Sequence, residues 1–321
     1  MRIDNTAPSS TVSSAGCYDS GWSGVITGTA SDSGSGASLV EITLRRQSDG
    51  NYYNGTSWQQ TPVWLAASGT TSWTYAIPTQ GGTYTVESRA TDGIGHQQTA
   101  YGQSTFTYDP VPPQSSVATA GCFTQGTWPN AIMGSASDAR SGVASVQISI
   151  QRASDSLYYN GTSWSPAVTW LSVTGTTSWA RPFAPTVETR YTVRSRATDN
   201  CGNVQSVLGE SSFAYDATPP QSSVATSGYY NAATWPGAIT GSASDGQSDV
   251  AAVEVTLRRA SDNLYFNGST WTAAAQWLSA SGTTSWALSF QPTVETGYLV
   301  NSRATDSCGN VQQVYGTGTF I

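Results

Sequence analysis

Four cysteines, nine recurring aspartates and one histidine are the residues whose types and spacing could do chemistry in this chain. Cys17, Cys122, Cys201 and Cys308 can pair as disulfides in an oxidising compartment. Asp4/Asp32/Asp92, Asp109/Asp138/Asp199 and Asp216/Asp245/Asp306 recur in the same order at the same spacing. Brought together, each set would offer hard oxygen ligands of the kind Ca²⁺ takes, six to eight at a time. Kept apart, each Asp would cap its own turn through backbone N–H groups. His96 is the single histidine, and Asn203 and Asn310 stand at its counterparts, so it marks a turn position and not a general base. Lysine is absent and all thirteen cationic residues are Arg, which closes Schiff-base and lysine-nucleophile mechanisms. No catalytic residue is assigned, and the chain is not read as an enzyme.

The elements that must position these residues form a repeat. Asp4-Asn5-Thr6-Ala7-Pro8, Asp109-Pro110-Val111-Pro112-Pro113 and Asp216-Ala217-Thr218-Pro219-Pro220 open three units. Each then presents the same landmarks: Trp22, Trp128 or Trp235, a Ser-Asp pair, an alternating apolar run, and an Asn-Gly hairpin. Trp64, Trp170 or Trp277 follows, then Gly-Thr-Thr-Ser-Trp and a stretch like Tyr191 to Asp199. The twelve tryptophans divide as four per unit. A period this long exceeds that of solenoid repeats, so each unit is a domain with its own core: 1–108, 109–215 and 216–321.

Alternation with period two dominates and no helical stripe is present, so the class is all-β. In the middle unit the pattern predicts strands over Ser115–Ala120, Ala131–Ser137, Val143–Arg152, Ser178–Phe183, Tyr191–Thr198 and Val204–Tyr215. With a hairpin around Asn160-Gly161, whose tip is expected to be a type I′ turn, this makes about seven strands. Asn54, Asn160 and Asn267 match the glycosylation sequon, which follows from the turn's own demand for Asn-Gly. Tyr84, Tyr191 and Tyr298 open the penultimate strand, where sandwiches place a corner tyrosine.

The Asp-x-x-x-Pro linker, Asp138 with Gly142-Val143, and Arg196-Ala-Thr-Asp-x-x-Gly-Asn203 resemble bacterial immunoglobulin-like repeats of adhesins and large surface proteins. The resemblance covers nearly the whole chain. It implies three tandem Ig-like β-sandwiches in a head-to-tail rod, and Ca²⁺ at Asp109, Asp138, Asp199, Asp216, Asp245 and Asp306. The lysine–asparagine staple of some bacterial sandwiches is closed here for want of lysine.

In a Greek-key sandwich the first strand runs to the far pole, and the turn before the last strand lies at the near pole. Cys17 and Cys122 follow the first strand; Cys201 and Cys308 lie in the late turn. The two cysteines of the middle unit are thus a domain length apart, beyond the roughly 7 Å that a disulfide allows between Cα atoms. Stacked head to tail, the units would pair Cys17 with Cys201 and Cys122 with Cys308. The rival is Cys122–Cys201, with Cys17 and Cys308 free or joining separate chains.

The formal charge is −7 and the pI about 4.6, with no basic run, which excludes nucleic acid and anionic membrane surfaces as partners. No apolar run reaches the length of a membrane span, and the opening Met-Arg-Ile-Asp is not a secretion signal. The ends read as cuts through a longer secreted chain, monomeric as an excerpt. The expected role is a structural stalk or spacer of a secreted or cell-surface bacterial protein. The alternative is an adhesive module that binds glycan or a protein partner.

Overall fold

The computed structural model describes residues 3–321, and every regular element among them is a strand. Each unit is a pair of sheets. In the middle one, Gln114–Val117, Ala131–Ser137 and Ser178–Pro182 form a three-stranded sheet in that order. Facing it, Gly121–Phe123, Gly209–Tyr215, Thr189–Asp199, Val143–Arg152, Tyr158–Tyr159 and Trp164–Ser165 lie side by side, with Leu171–Ser172 also paired to Val143–Arg152. Burial alternates without a break along Thr189–Asp199, as a strand with one face on the core requires.

Three sequence expectations are corrected. The first strand is two. Gln114–Val117 pairs antiparallel with Ala131–Ser137; the chain then crosses the sandwich, and Gly121–Phe123 pairs parallel with Gly209–Tyr215. The switch uses Gly121 at φ 99°, a conformation glycine adopts without steric cost. Cys122 therefore sits on a strand and not in a loop, as does Cys17 on Gly16–Tyr18. The last strand begins at Gly209, not Val204, which makes only a single bridge to Thr198. The hairpin tip is not type I′, because Gly161 has positive φ while Asn160 does not. Instead Asn160 Oδ1 accepts from the N–H groups of Thr162 and Ser163, an Asx turn within a four-residue connection.

The cores repeat as well. Trp73, Trp179 and Trp286 are fully buried, each lying over a glycine: Gly28, Gly134 or Gly241. A Cβ at any of these glycines would collide with the indole and with a backbone carbonyl of the neighbouring strand. The hairpin residues Tyr159 and Trp164 pack against the core and each other, ring centroids 5.3 Å apart. The corner tyrosines are in place: Tyr84, Tyr191 and Tyr298 donate to the carbonyls of Gln80, Val187 and Val294 at 2.6, 2.7 and 2.9 Å.

Beneath the first strand runs a buried polar motif that sequence reading missed. Ser115 Oγ donates to Gln205 Oε1 at 2.7 Å and lies 2.8 Å from Ser195 Oγ. Gln205 Oε1 also accepts from Ala197 N, and its amide nitrogen donates to Val207 O. Ser10/Ser88/Gln98 and Ser222/Ser302/Gln312 repeat it. The faint sequence signal is a Gln at a fixed place after the late turn in all three units, where the alternation calls for an apolar side chain.

Candidate functional site

The chemistry-bearing residues gather where one repeat meets the next. At the first junction Cys17 and Cys201 are disulfide-bonded with Cα atoms 4.8 Å apart. At the second, Cys122 and Cys308 are bonded with Cα atoms 4.9 Å apart. All four cysteines are used, and each bond joins neighbouring repeats.

Beside each bond the linker Asp stitches two domains. Asp109 N donates to Tyr18 O of the preceding repeat at 2.9 Å. Its carbonyl accepts from Asn203 Nδ2 of the following repeat at 2.7 Å, and its Oδ2 accepts from Ser141 N at 3.0 Å. Asn203 Oδ1 in turn accepts from Ser20 N across the junction at 3.0 Å. Asp216 repeats the pattern with Phe123 O, Asn310 Nδ2 and the Ser248 hydroxyl. The second junction adds a clasp: Glu188, on the far pole of the middle repeat, accepts from Ala217 N at 3.1 Å and from the Thr218 hydroxyl at 2.8 Å.

Asp109, Asp138 and Asp199 converge, with one carboxylate oxygen of each within 4.8 Å of the others; so do Asp216, Asp245 and Asp306. At the start of the chain the group is Asp4, Asp92 and His96; Asp32, whose Oδ2 accepts from Gly34 N and Gly36 N, is not part of it. His96 Nδ1 lies 2.9 Å from Asp92, taking the place of Asn203.

These carboxylates are occupied as acceptors. Asp138 Oδ1 receives Arg140 N, Ser141 N and Gly142 N; Asp199 Oδ1 receives Cys201 N and Asn203 N. At the first junction the Arg140 guanidinium lies 3.9 Å from Asp109, a positive charge already beside the Asp109, Asp138 and Asp199 carboxylates. Gln247 replaces Arg140 at the second junction. There burial and the nearby carboxylates of Asp245 and Asp306 push the Asp216 carboxyl up from its ordinary value. Asp245 Oδ2, buried without a partner, is the one atom of that set in want of a positive charge, short of the six to eight oxygens of a calcium site.

Residues 103–217 match the family model of the bacterial Ig-like domain. The match spans the whole of the middle repeat. The first repeat shares its sheet order, and the third differs only in that the short strand equivalent to Gly121–Phe123 is reduced to a single bridge, Gly228 to Phe320; both share its landmark residues. No curated protein shows significant similarity to the chain. Among solved structures, the chain is similar to the fibronectin(III)-like modules of Clostridium thermocellum CbhA, at 14% identity over 65% of this chain and 94% of that one, TM-score 0.31. It is also similar to human CDH23 EC21-23, at 12% identity over 88% of each chain, TM-score 0.35. The human Desmocollin-1 ectodomain matches at 10% identity over 88% of this chain and 54% of that one, TM-score 0.37.

The remaining conspicuous surface lies on the larger sheet. Arg89, Arg196 and Arg303 lie over the rings of Trp64, Trp170 and Trp277 at 4.1, 4.2 and 4.2 Å. They reach across to Glu41, Gln147 and Glu254, their partners directly opposite on the neighbouring strand. Tyr101 and Tyr315 stand edge-on to Trp64 and Trp277 and are half exposed.

Proposed function

We propose that the chain is a load-bearing spacer whose Ig-like repeats are held in line by covalent straps. Ig-like repeats are structural or adhesive modules, and together with disulfides they suggest an extracellular protein. The observation that carries the spacer reading is that both disulfides cross a junction and none lies within a repeat. A bond inside a sandwich would stabilise one domain. A bond beside the linker fixes two attachment points, so that the next domain loses its freedom to swing. Chain-entropy reasoning assigns a loop of this size about 5 kcal/mol, although two overlapping loops do not add simply. Stretching the chain from its ends tests the reading. Oxidised, it should extend by only part of its contour, because the straps bypass folded segments; reduced, it should extend fully. Equal extension in both states would remove the load-bearing role.

The second reading, an adhesive module, is favoured by the half-exposed Tyr101–Trp64 and Tyr315–Trp277 pairs, since aromatic faces beside arginines suit sugar rings. Retention on a glycan array that is lost on Trp64→Ala and Trp277→Ala would support it over the spacer.

A further inference from the structure

We propose that the two junctions are held in line by different means, and that the second is a latent hinge whose alignment, once its strap is open, depends on the Glu188 carboxylate. The inference rests on the strapped-junction reading and says where the rod bends when a strap is lost.

Four positions change together between the junctions. Gly81, Pro110, Val111 and Arg140 stand at the first where Glu188, Ala217, Thr218 and Gln247 stand at the second. At the first, Pro110 locks its own φ and restricts Asp109 before it, so the linker is stiff by covalent geometry. Gly81 leaves room for the following repeat: a Cβ there would lie 3.0 Å from Arg140 Nε and 3.1 Å from Pro110 Cδ. Ser20 N also donates to Asn203 Oδ1, directly from repeat to repeat. At the second junction Ala217 leaves φ unlocked, and the linker carries instead an N–H and a hydroxyl that Pro110 and Val111 lack. Glu188 takes both. Its Oε1 accepts from Ala217 N at 3.1 Å, and the Thr218 hydroxyl lies 2.8 and 2.9 Å from its two carboxylate oxygens. Gln125 stands at the place of Ser20, and among the described residues no hydrogen bond joins it to Asn310. Glu188 is therefore the side chain through which the middle repeat holds the second linker. Its hydrogen bonds are modest in net strength and open thermally, whereas a pyrrolidine ring does not release φ. The strap consequently carries more of the alignment at the second junction than at the first.

The test compares small-angle scattering of full-length chains that each lack one strap, with native tryptophan fluorescence as the check that the sandwiches stay folded. Cys122→Ser/Cys308→Ser should shorten the longest dimension and broaden the distance distribution. Cys17→Ser/Cys201→Ser should stay close to the fully oxidised chain. Adding Glu188→Ala to the chain without the second strap should bend it further, whereas Glu188→Gln, which keeps an acceptor oxygen, should bend it less. Ala217→Pro, which copies the first linker, should straighten that chain even without Glu188. With both straps closed, Glu188→Ala should leave the scattering unchanged. Equal bending of the two single-strap chains, or no response to Glu188→Ala once the second strap is gone, would overturn the proposal and leave the strapped rod standing. A fully oxidised chain that already scatters as flexible beads would overturn both.

Discussion

Gln205 is the residue whose replacement separates shape from hydrogen bonding most cleanly. Leucine would fill its volume but leave Ala197 N buried without a partner, while Ser115 Oγ keeps only Ser195 Oγ. Gln205→Leu should therefore cost the middle repeat about 1–3 kcal/mol, read by hydrogen exchange along Thr189–Asp199. The aspartates divide by the sign of their shift. Burial alone would push the Asp138 carboxyl up, but the N–H groups of Arg140, Gly142 and Ser141 outweigh it and hold it below its ordinary value. A carboxyl lowered on folding stabilises above its unfolded pKa of about 3.9, and that stability is lost as pH falls through the folded value. Asp216 is raised, so its ionised form works against folding, and the penalty is relieved as pH falls. At pH 7, Asp138→Asn should lower the denaturant midpoint and Asp216→Asn should lower it less. The difference should begin to shrink as pH falls below about 3.9 and close only once pH is below the lowered folded value of Asp138. A difference that does not shrink on acidification would contradict the assignment.

At the scale of elements, much was legible. The strands Ala131–Ser137 and Val143–Arg152 stand where the alternation placed them. The corner tyrosines and the place of the cysteines relative to the poles also follow from the pattern. What the pattern could not show was chain direction. The three residues of Gly121–Phe123 are too few to display a period, and their parallel pairing is decided by Gly209–Tyr215, about ninety residues on. The turn at Asn160-Gly161 was misjudged because Asn-Gly serves both the type I′ and the Asx geometries. Glu188 was passed over because its partners, Ala217 and Thr218, belong to the next repeat. The glycines under the tryptophans were equally silent, since a glycine in a strand does not announce what lies above it. Gly134→Ala should displace the Trp179 indole and destabilise the middle repeat by about 1–3 kcal/mol or more, seen as loss of native tryptophan fluorescence at lower urea. An unchanged midpoint would mean that the sheet yields without cost.

At the scale of the whole molecule, the linker Asp and the disulfide act at the same place but respond to different conditions. The hydrogen-bonded linker persists in reducing solution, whereas the strap does not, so stiffness is expected to follow redox state while each sandwich stays folded. The most direct test of the central claim is small-angle scattering of the oxidised chain beside a Cys17→Ser/Cys122→Ser/Cys201→Ser/Cys308→Ser variant. With strands of about ten residues at 3.3 Å rise, three stacked sandwiches should reach roughly 110 Å. The oxidised chain should scatter as a single straight rod of that length, and the variant as a shorter, bending average. Two indistinguishable curves, both those of a flexible chain of beads, would contradict the strapped rod.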